Sequence, residues 1–159
     1  MGPGGTMHHL FDIARAMGVR IEYTDLTRLD RDGDYCARTN TIRLQTGMSR
    51  RLTRSVLAHE LAHVTFGDEP SMFGPVNAKQ ERRADEWAAL RLITSEAFRE
   101  AEQLHGGHAA AMAVELGVIT DIVEAYQRIL LRVGDTVYTQ PRMGAGQWHE
   151  RTQLVEGVA

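Results

Sequence analysis

The spacing of apolar residues changes twice along the chain. From residue 7 to residue 17 they recur at every third or fourth position, which is typical of an amphipathic helix, and Gly18 then ends it. Over residues 19–45 they alternate with polar residues, which indicates short strands joined by turns. The strands are predicted over 19–26, 34–38 and 41–45. From residue 50 the helical spacing returns, so the pattern predicts a helix, a small sheet and then helices.

The helices after the sheet are separated by short breaks. Ser49 has the side chain of an N-cap, and Gly67 is placed to end the first of these helices. The predicted helices span 50–66, 78–92, 95–104, 108–116 and 120–132. We therefore expect an α+β fold in which a small, mostly antiparallel sheet packs on helix 50–66 and the C-terminal half is helical. The linker 67–77 has two prolines and two glycines, and we expect it to overhang a cleft as a lid or specificity loop.

The length of the chain, 159 residues, is sufficient for one core and too short for two comfortable domains. The glycine-rich residues 1–6 are predicted to form a flexible leader. Residues 7–133 are predicted to form a single domain. Residues 134–159 lose their periodicity, and we expect them to form a flexible tail or one that docks on a partner or on the body.

Composition and charge set limits on the function. A net charge of −3 gives no reason to expect direct nucleic-acid binding by the surface as a whole. No apolar run approaches the roughly 18 residues of a membrane span, and the N-terminus lacks the pattern of a signal peptide. The single cysteine, Cys36, cannot form an intrachain disulfide and is compatible with a reducing compartment. We therefore expect a cytoplasmic protein, and the sequence predicts no oligomeric state.

The segment LAHELAHVTFGDEP contains the clearest chemical pattern of the chain. On a helix, His59 and His63 lie one turn apart on the same face, so both imidazoles can reach one ion. Glu60 follows the first histidine, where a carboxylate can hold a water molecule without binding the metal itself. This His-Glu-x-x-His arrangement is typical of zinc peptidases that use the glutamate as general base.

A catalytic zinc site needs a third protein ligand, and the helix predicted over 78–92 offers one. Glu81 and Asp85 lie on the same stripe of that helix as three small or apolar residues, Ala84, Ala88 and Leu92. Buried carboxylates need a partner or a metal. Glu81 as third ligand and Asp85 as acceptor for the N–H of a ligand histidine would meet that need. The alternative is an ordinary charged, solvated helix face.

HELAH followed by ERRADEWAA resembles the ImmA/IrrE family of small metallopeptidases, which occur in mobile elements, phages and stress-response loci. The resemblance covers about residues 8–133 and implies a gluzincin-like zinc metallopeptidase domain. It implies that His59, His63 and Glu81 hold Zn²⁺ and that Glu60 is the catalytic base. Asp85 matches the position that such sites use to support a zinc ligand.

The resemblance also implies a regulatory endopeptidase whose substrate is a helix-turn-helix repressor of the XRE type. The chain has no helix-turn-helix pattern before its first strand, so the repressor would be a separate protein. The alternative is a non-proteolytic, zinc-stabilised interaction module or toxin–antitoxin partner with a dormant site. A fourth zinc ligand from Cys36 or from the tail would favour that alternative, whereas an intact Glu60 favours the peptidase.

Two details of peptide cleavage remain expectations. By analogy with gluzincins, the strand predicted over 41–45 is expected to pair with an extended substrate. His105, His108 and Tyr126 are the candidates for stabilising a transition-state oxyanion. Cys36 is expected to be a buried strand residue and not a metal ligand.

Overall fold

The computed structural model describes residues 6–69 and 72–137 of the chain. The predicted leader, apart from its last residue, and the predicted tail beyond residue 137 lie outside the described residues. In chain order the elements are α1 (Met7–Ala16), β1 (Arg20–Thr24), a 3₁₀ turn (Thr27–Leu29), β2 (Gly33–Cys36), β3 (Thr41–Gln45), α2 (Arg50–Phe66), α3 (Gly74–Leu92), α4 (Ser95–His105), α5 (Ala109–Leu116) and α6 (Thr120–Val137). The predicted α+β class is confirmed. Among the described residues, no helix has the length and apolar content that a membrane span requires.

The three strands form a mixed sheet with β3 in the centre. β1 runs parallel to β3 with Ile21 opposite Ile42, and β2 runs antiparallel to β3 with Tyr35 opposite Ile42. The prediction of a mostly antiparallel sheet is therefore corrected to a mixed one. After β1 the chain forms β2 at the opposite edge of the sheet, and β3 then lies between β1 and β2. Both edges of β3 are hydrogen-bonded, so the prediction that the strand at 41–45 receives a substrate is wrong. The strand with an edge on the cleft side is β2.

Helix α2 lies between the sheet and the helical half of the chain. It contacts β2 and β3 on one side and α3 on another. Its residues Leu57, Ala58 and Leu61 are completely buried. The core continues into the last three helices, where the rings of Phe98 and Tyr126 lie 4.6 Å apart. The central position of α2 means that any side chain on its cleft face is held by a fully packed helix.

The bounds of α2 follow from its two caps. The Ser49 hydroxyl accepts a hydrogen bond from the Leu52 N–H at 3.2 Å, and Gly67 adopts a left-handed φ of 62° at the other end. Helix α3 begins at Gly74, four residues earlier than predicted, because proline is favoured in the first turn of a helix. Helix α6 runs to Val137 and so passes the predicted end at 132.

A buried arginine joins α2 to the ends of two other helices. The guanidinium of Arg54 donates hydrogen bonds to the carbonyls of Leu92 (2.9 Å), Leu116 (3.1 Å) and Gly117 (2.9 Å). These carbonyls lie at the C-terminal ends of α3 and α5, where the last carbonyls have no N–H donor within their own helix. Arg54 thereby fixes the N-terminal part of α2 relative to α3 and α5.

Candidate metal centre

The two histidines of the motif lie on the cleft face of α2. As expected for positions four residues apart on a helix, their rings meet, with centroids 4.7 Å apart and ring planes at 78°. His59 Nε2 and His63 Nε2 are 3.0 Å apart. Both side chains are mostly buried, with exposed fractions of 19% and 14%.

Helix α3 brings a carboxylate to the same point. Glu81 Oε2 lies 3.0 Å from His59 Nε2, and Glu81 Oε1 lies 3.2 Å from His63 Nε2. One ligand atom from each of His59, His63 and Glu81 falls within 4.8 Å of the others. The two predicted helices therefore meet at the predicted triad. More than half of the Glu81 side chain is exposed, so the triad opens to solvent on this side.

Each histidine has a carboxylate behind it. Asp85 Oδ1 lies 2.8 Å from His59 Nδ1, which is the contact that the helical stripe predicted for Asp85. A carboxylate accepts the hydrogen bond, so the network assigns a proton to Nδ1, and metal binding would need only the proton on Nε2 to leave. Asp68 Oδ2 stands in the same relation to His63 Nδ1, at 2.9 Å.

Helical spacing does not point to Asp68, because it lies beyond Gly67, where α2 has ended. Its own N–H donates to the carbonyl of His63 at 3.0 Å, which folds the chain back at the end of α2. A signal was available in the sequence, since an acidic residue directly after a helix-ending glycine returns close to the last turn. Arg83 of α3 forms an ion pair with the other carboxylate oxygen of Asp68.

The electrostatics of the cluster favour positive charge at its centre. Burial lowers the pKa of His59, but hydrogen bonds to Asp85 and Glu81 outweigh it and raise the pKa to about 10. The pKa of His63 is also raised, since its bonds to Glu81 and Asp68 outweigh the effect of burial. Hydrogen bonds from both histidines hold the pKa of Glu81 well below its usual range.

The donor set fits a divalent metal ion. Because both Nδ1 atoms face aspartates, loss of the Nε2 protons presents two imidazole lone pairs and a carboxylate to one point, and a metal ion bound there would supply the positive charge that those protons carried. Imidazole nitrogen with carboxylate oxygen is a ligand set that suits zinc and other first-row divalent metals. Among the described residues, three side chains form the group, and Cys36 does not belong to it.

Glu60 lies beside the triad without belonging to it. Its residue exposure is only 8%, and burial raises the pKa of its carboxyl above the usual value. It lines two cavities, of about 300 and 400 Å³, which also share His59 and Glu81 as walls. Glu60 is therefore a buried carboxyl that faces the space next to the three donors.

The two cavities extend in different directions from this shared wall. One reaches Ile119 and Ile122 at the start of α6, and the other reaches Asp68 and Asn77 at the α2–α3 connection. Gly33 at the start of strand β2 lines both cavities. Together they form a cleft between the sheet edge and α3.

The three candidates for oxyanion stabilisation do not line this cleft. Tyr126 is 2% exposed and packs on Phe98 in the core. His108 caps α5, where its Nδ1 accepts from the Ala111 N–H at 3.4 Å, and His105 lies at the end of α4, 3.7 Å from a carboxylate of α5. The linings of the two cavities therefore give no support to any of the three as an oxyanion donor. Cys36 is only partly buried, at the end of β2.

Comparison with known proteins agrees with the site. Residues 14–126, which contain the triad, Glu60 and both aspartates, match the family described as Peptidase_M78, IrrE N-terminal-like domain. No curated protein and no solved structure matches the chain. The family match covers more than half of the chain, and this chain therefore belongs to the IrrE N-terminal-like (ImmA/IrrE) family of peptidases.

Proposed function

We propose that the chain is a zinc-dependent endopeptidase in which His59, His63 and Glu81 hold the ion and Glu60 is the general base. The observation that carries the proposal is the convergence of the three donor atoms within 4.8 Å beside a buried Glu60. Three protein ligands are the number expected of a catalytic zinc site, which keeps one position open. Zinc bound there supplies Lewis acidity towards water and the substrate carbonyl.

Glu60 provides the proton transfers. A carboxyl whose pKa is raised by burial is a stronger base when ionised than one in water, and it gives the proton up again less readily. Glu60 takes the proton of the attacking water as the peptide carbonyl is attacked, and it then delivers that proton to the leaving amine. Asp85 keeps the His59 ring in the orientation that leaves Nε2 free for the metal.

The shape of the cleft supports cleavage within a polypeptide. Because the two cavities lead away from the shared wall of His59, Glu60 and Glu81 in different directions, chain can continue on both sides of the reacting bond. Within the part of the chain that the structure describes, β2 pairs with β3 along one edge only, and Gly33 at its start lines both cavities. An extended substrate adds to the free edge of β2 by main-chain hydrogen bonds.

The charge of the cleft favours a basic substrate, and a DNA-binding repressor of the helix-turn-helix type has that character. Besides the triad, its supporting aspartates and Glu60, the walls carry one basic side chain, Arg31, and four further acidic ones. These are Asp32, Asp34, Glu69 and Asp121. An acidic groove attracts a basic polypeptide and disfavours an acidic one.

The experiment uses zinc-loaded protein and the helix-turn-helix protein encoded nearest to its gene. Mass spectrometry of the mixture is expected to show two fragments of that protein, and no fragments with a chelator present. Glu60→Gln should retain zinc and lose cleavage by roughly 10²–10⁴-fold, because the amide cannot accept the proton. Equal cleavage by the wild type and by Glu60→Gln would exclude the proposed mechanism. A biological effect that survives Glu60→Gln but is lost in His59→Ala would favour the non-proteolytic interaction module.

A further inference from the structure

His63, the second histidine of the triad, is supported by Asp68, a carboxylate that is more deeply buried than Asp85, which supports His59. Asp68 Oδ2 lies 2.9 Å from His63 Nδ1, and only 6% of the Asp68 side chain is exposed, against 26% for Asp85. We propose that Asp68 is a positioning residue that fixes the His63 ring for metal binding, and that Arg83 holds Asp68 in place. The inference rests on the metal site proposed above.

The two oxygens of Asp68 have separate partners. Oδ2 accepts from His63, and Oδ1 forms the ion pair with Arg83. A carboxylate as buried as this one is stable only when both oxygens are paired, because the loss of water is costly for a charge. Removing Arg83 therefore leaves the charge of Asp68 uncompensated and frees the side chain to turn towards solvent, away from the histidine.

The position of Asp68 is set by the end of α2. Gly67 has a φ of 62°, and the Asp68 N–H donates to the carbonyl of His63 at 3.0 Å. The same residue, His63, is thus contacted by both the main chain and the side chain of Asp68. This double contact makes the orientation of the ring depend on how the helix terminates.

Arg83 connects that helix end to α3. Its guanidinium lies 4.1 Å from the centre of the Phe66 ring, over the last residue of α2. Glu81, the third member of the triad, lies two residues before it on the same helix. The packing of α3 on α2 therefore sets both the third donor and, through Asp68, the orientation of the second. Asp85 performs only the corresponding task for His59, with no such link to the helix terminus.

A purely structural Arg83–Asp68 ion pair would change stability and leave the metal untouched. The positioning role predicts effects on zinc affinity and on the His63 ring itself. Replacing Asp68 by Asn keeps an acceptor oxygen but removes the charge, so the hydrogen bond no longer raises the basicity of Nε2. Zinc affinity should fall by roughly 10- to 100-fold in Asp68→Asn. Arg83→Gln should lower it by a smaller factor, because Asp68 is still present.

The matched control is Arg132→Gln. Glu86 lies on α3, the helix that also carries Arg83, and it accepts hydrogen bonds from Arg132 of α6 at 3.0 and 3.3 Å. Glu86 contacts no histidine, so this ion pair is not connected to the triad. Zinc affinity of the full chain is measured by competition with a chromophoric chelator, using Zn²⁺ alone. Nitrogen-15 NMR of labelled histidine in the zinc-loaded protein reports the Nδ1–H of His63, which should shift in Asp68→Asn and Arg83→Gln but not in Arg132→Gln. Asp85→Asn should shift the His59 signal instead.

Wild-type zinc affinity in a folded Asp68→Asn protein would overturn the positioning role while leaving the metal site intact. If Asp68→Asn does not fold, Arg83→Gln is the deciding variant. An unchanged His63 signal together with an unchanged zinc affinity in Arg83→Gln would also overturn the positioning role. Zinc binding that is absent from the wild-type protein itself would refute the proposed function together with this inference. Weaker zinc binding and a shifted His63 signal, with the control unchanged, support it.

Discussion

The Nε2 atoms of His59 and His63 lie 3.0 Å apart, while each Nδ1 atom of the pair faces an aspartate. The Nε2 atoms face the carboxylate of Glu81, and in the absence of a metal their protons form hydrogen bonds to it. A metal ion bound to the same three side chains would take the place of those protons and tie α2 to α3. Metal binding and folding stability are therefore expected to be coupled.

Removal of the metal is expected to lower the melting temperature. Zinc at about 1,000 times its dissociation constant contributes about 4 kcal/mol of stability. Since 1 kcal/mol changes Tm by about 2–4 °C in a chain of this size, chelation should lower Tm by about 8–16 °C. Differential scanning calorimetry with and without chelator tests this, and added zinc should restore the original Tm. His59→Ala is the control, and the chelator should not affect its Tm. An equal Tm in both states of the wild type would contradict the coupling.

The triad predicts that Glu81 is needed for stoichiometric zinc. Glu81→Ala removes one of three donors, so protein purified without added zinc should contain less than one equivalent. Glu86→Gln is the matched control on the same helix, since Glu86 bonds to Arg132 and lies outside the triad. Elemental analysis of both variants measures the effect. Full zinc occupancy in Glu81→Ala would remove Glu81 from the ligand set.

Much of the fold follows from local patterns that the sequence displays. Helix α2 matches its predicted span because Ser49 and Gly67 both act within one turn of it. The sheet order does not follow from such patterns: alternation predicts strands, but pairing partners depend on contacts between residues far apart in sequence. The parallel pairing of β1 with β3 was missed for this reason.

The candidate site likewise contains residues that local spacing predicts and one that it does not. Residues with helical spacing, His59, His63, Glu81 and Asp85, could be grouped from sequence because the spacing fixes the face of the helix that they share. Helical spacing does not group Asp68 with them, since it reaches His63 through the backbone reversal at Gly67, and the acidic residue after that glycine is the signal that points to it. The oxyanion candidates His105, His108 and Tyr126 had no spacing that relates them to the motif, and none of them lines the two cavities beside Glu60.

Gly33, which lines both cavities, packs closely against α2 and β3. A Cβ atom added at Gly33 would lie 2.6 Å from Val56 Cγ1 and 3.2 Å from the carbonyl oxygen of Arg43, so β2 would be pushed away from α2. Gly33→Ala should therefore cost about 1–3 kcal/mol of unfolding free energy. Gly74→Ala is the control, because a Cβ there meets no atom within 4 Å and alanine favours the helix. Urea unfolding of both variants measures the difference, and equal stabilities would contradict close packing at Gly33.

The last prediction concerns Arg54, which joins α2 to the C-terminal ends of α3 and α5. Arg54→Ala removes the donor for the carbonyls of Leu92, Leu116 and Gly117, and burial leaves those oxygens little access to water. Because hydrogen bonds to a charged donor are worth about 1.5–3 kcal/mol each and are not additive, the loss should be about 3 kcal/mol or more. Arg51→Ala, on the exposed side of the same helix turn, should stay within about 0.5 kcal/mol of the wild type.

Arg54→Lys separates the hydrogen bonds from the charge. A lysine ammonium retains the charge but cannot reach three carbonyls with the fixed fork of a guanidinium, so its stability should lie between wild type and Arg54→Ala. Urea unfolding gives the free energies, and hydrogen exchange should show faster exchange at the C-terminal ends of α3 and α5 in Arg54→Ala. Folded Arg54→Ala should still bind one zinc, because Arg54 contacts none of the three donors. If Arg54→Ala were as stable as Arg51→Ala, the three carbonyl bonds would contribute nothing to the packing of α2. A loss of zinc from the folded variant would instead show that this end of the helix controls the metal site.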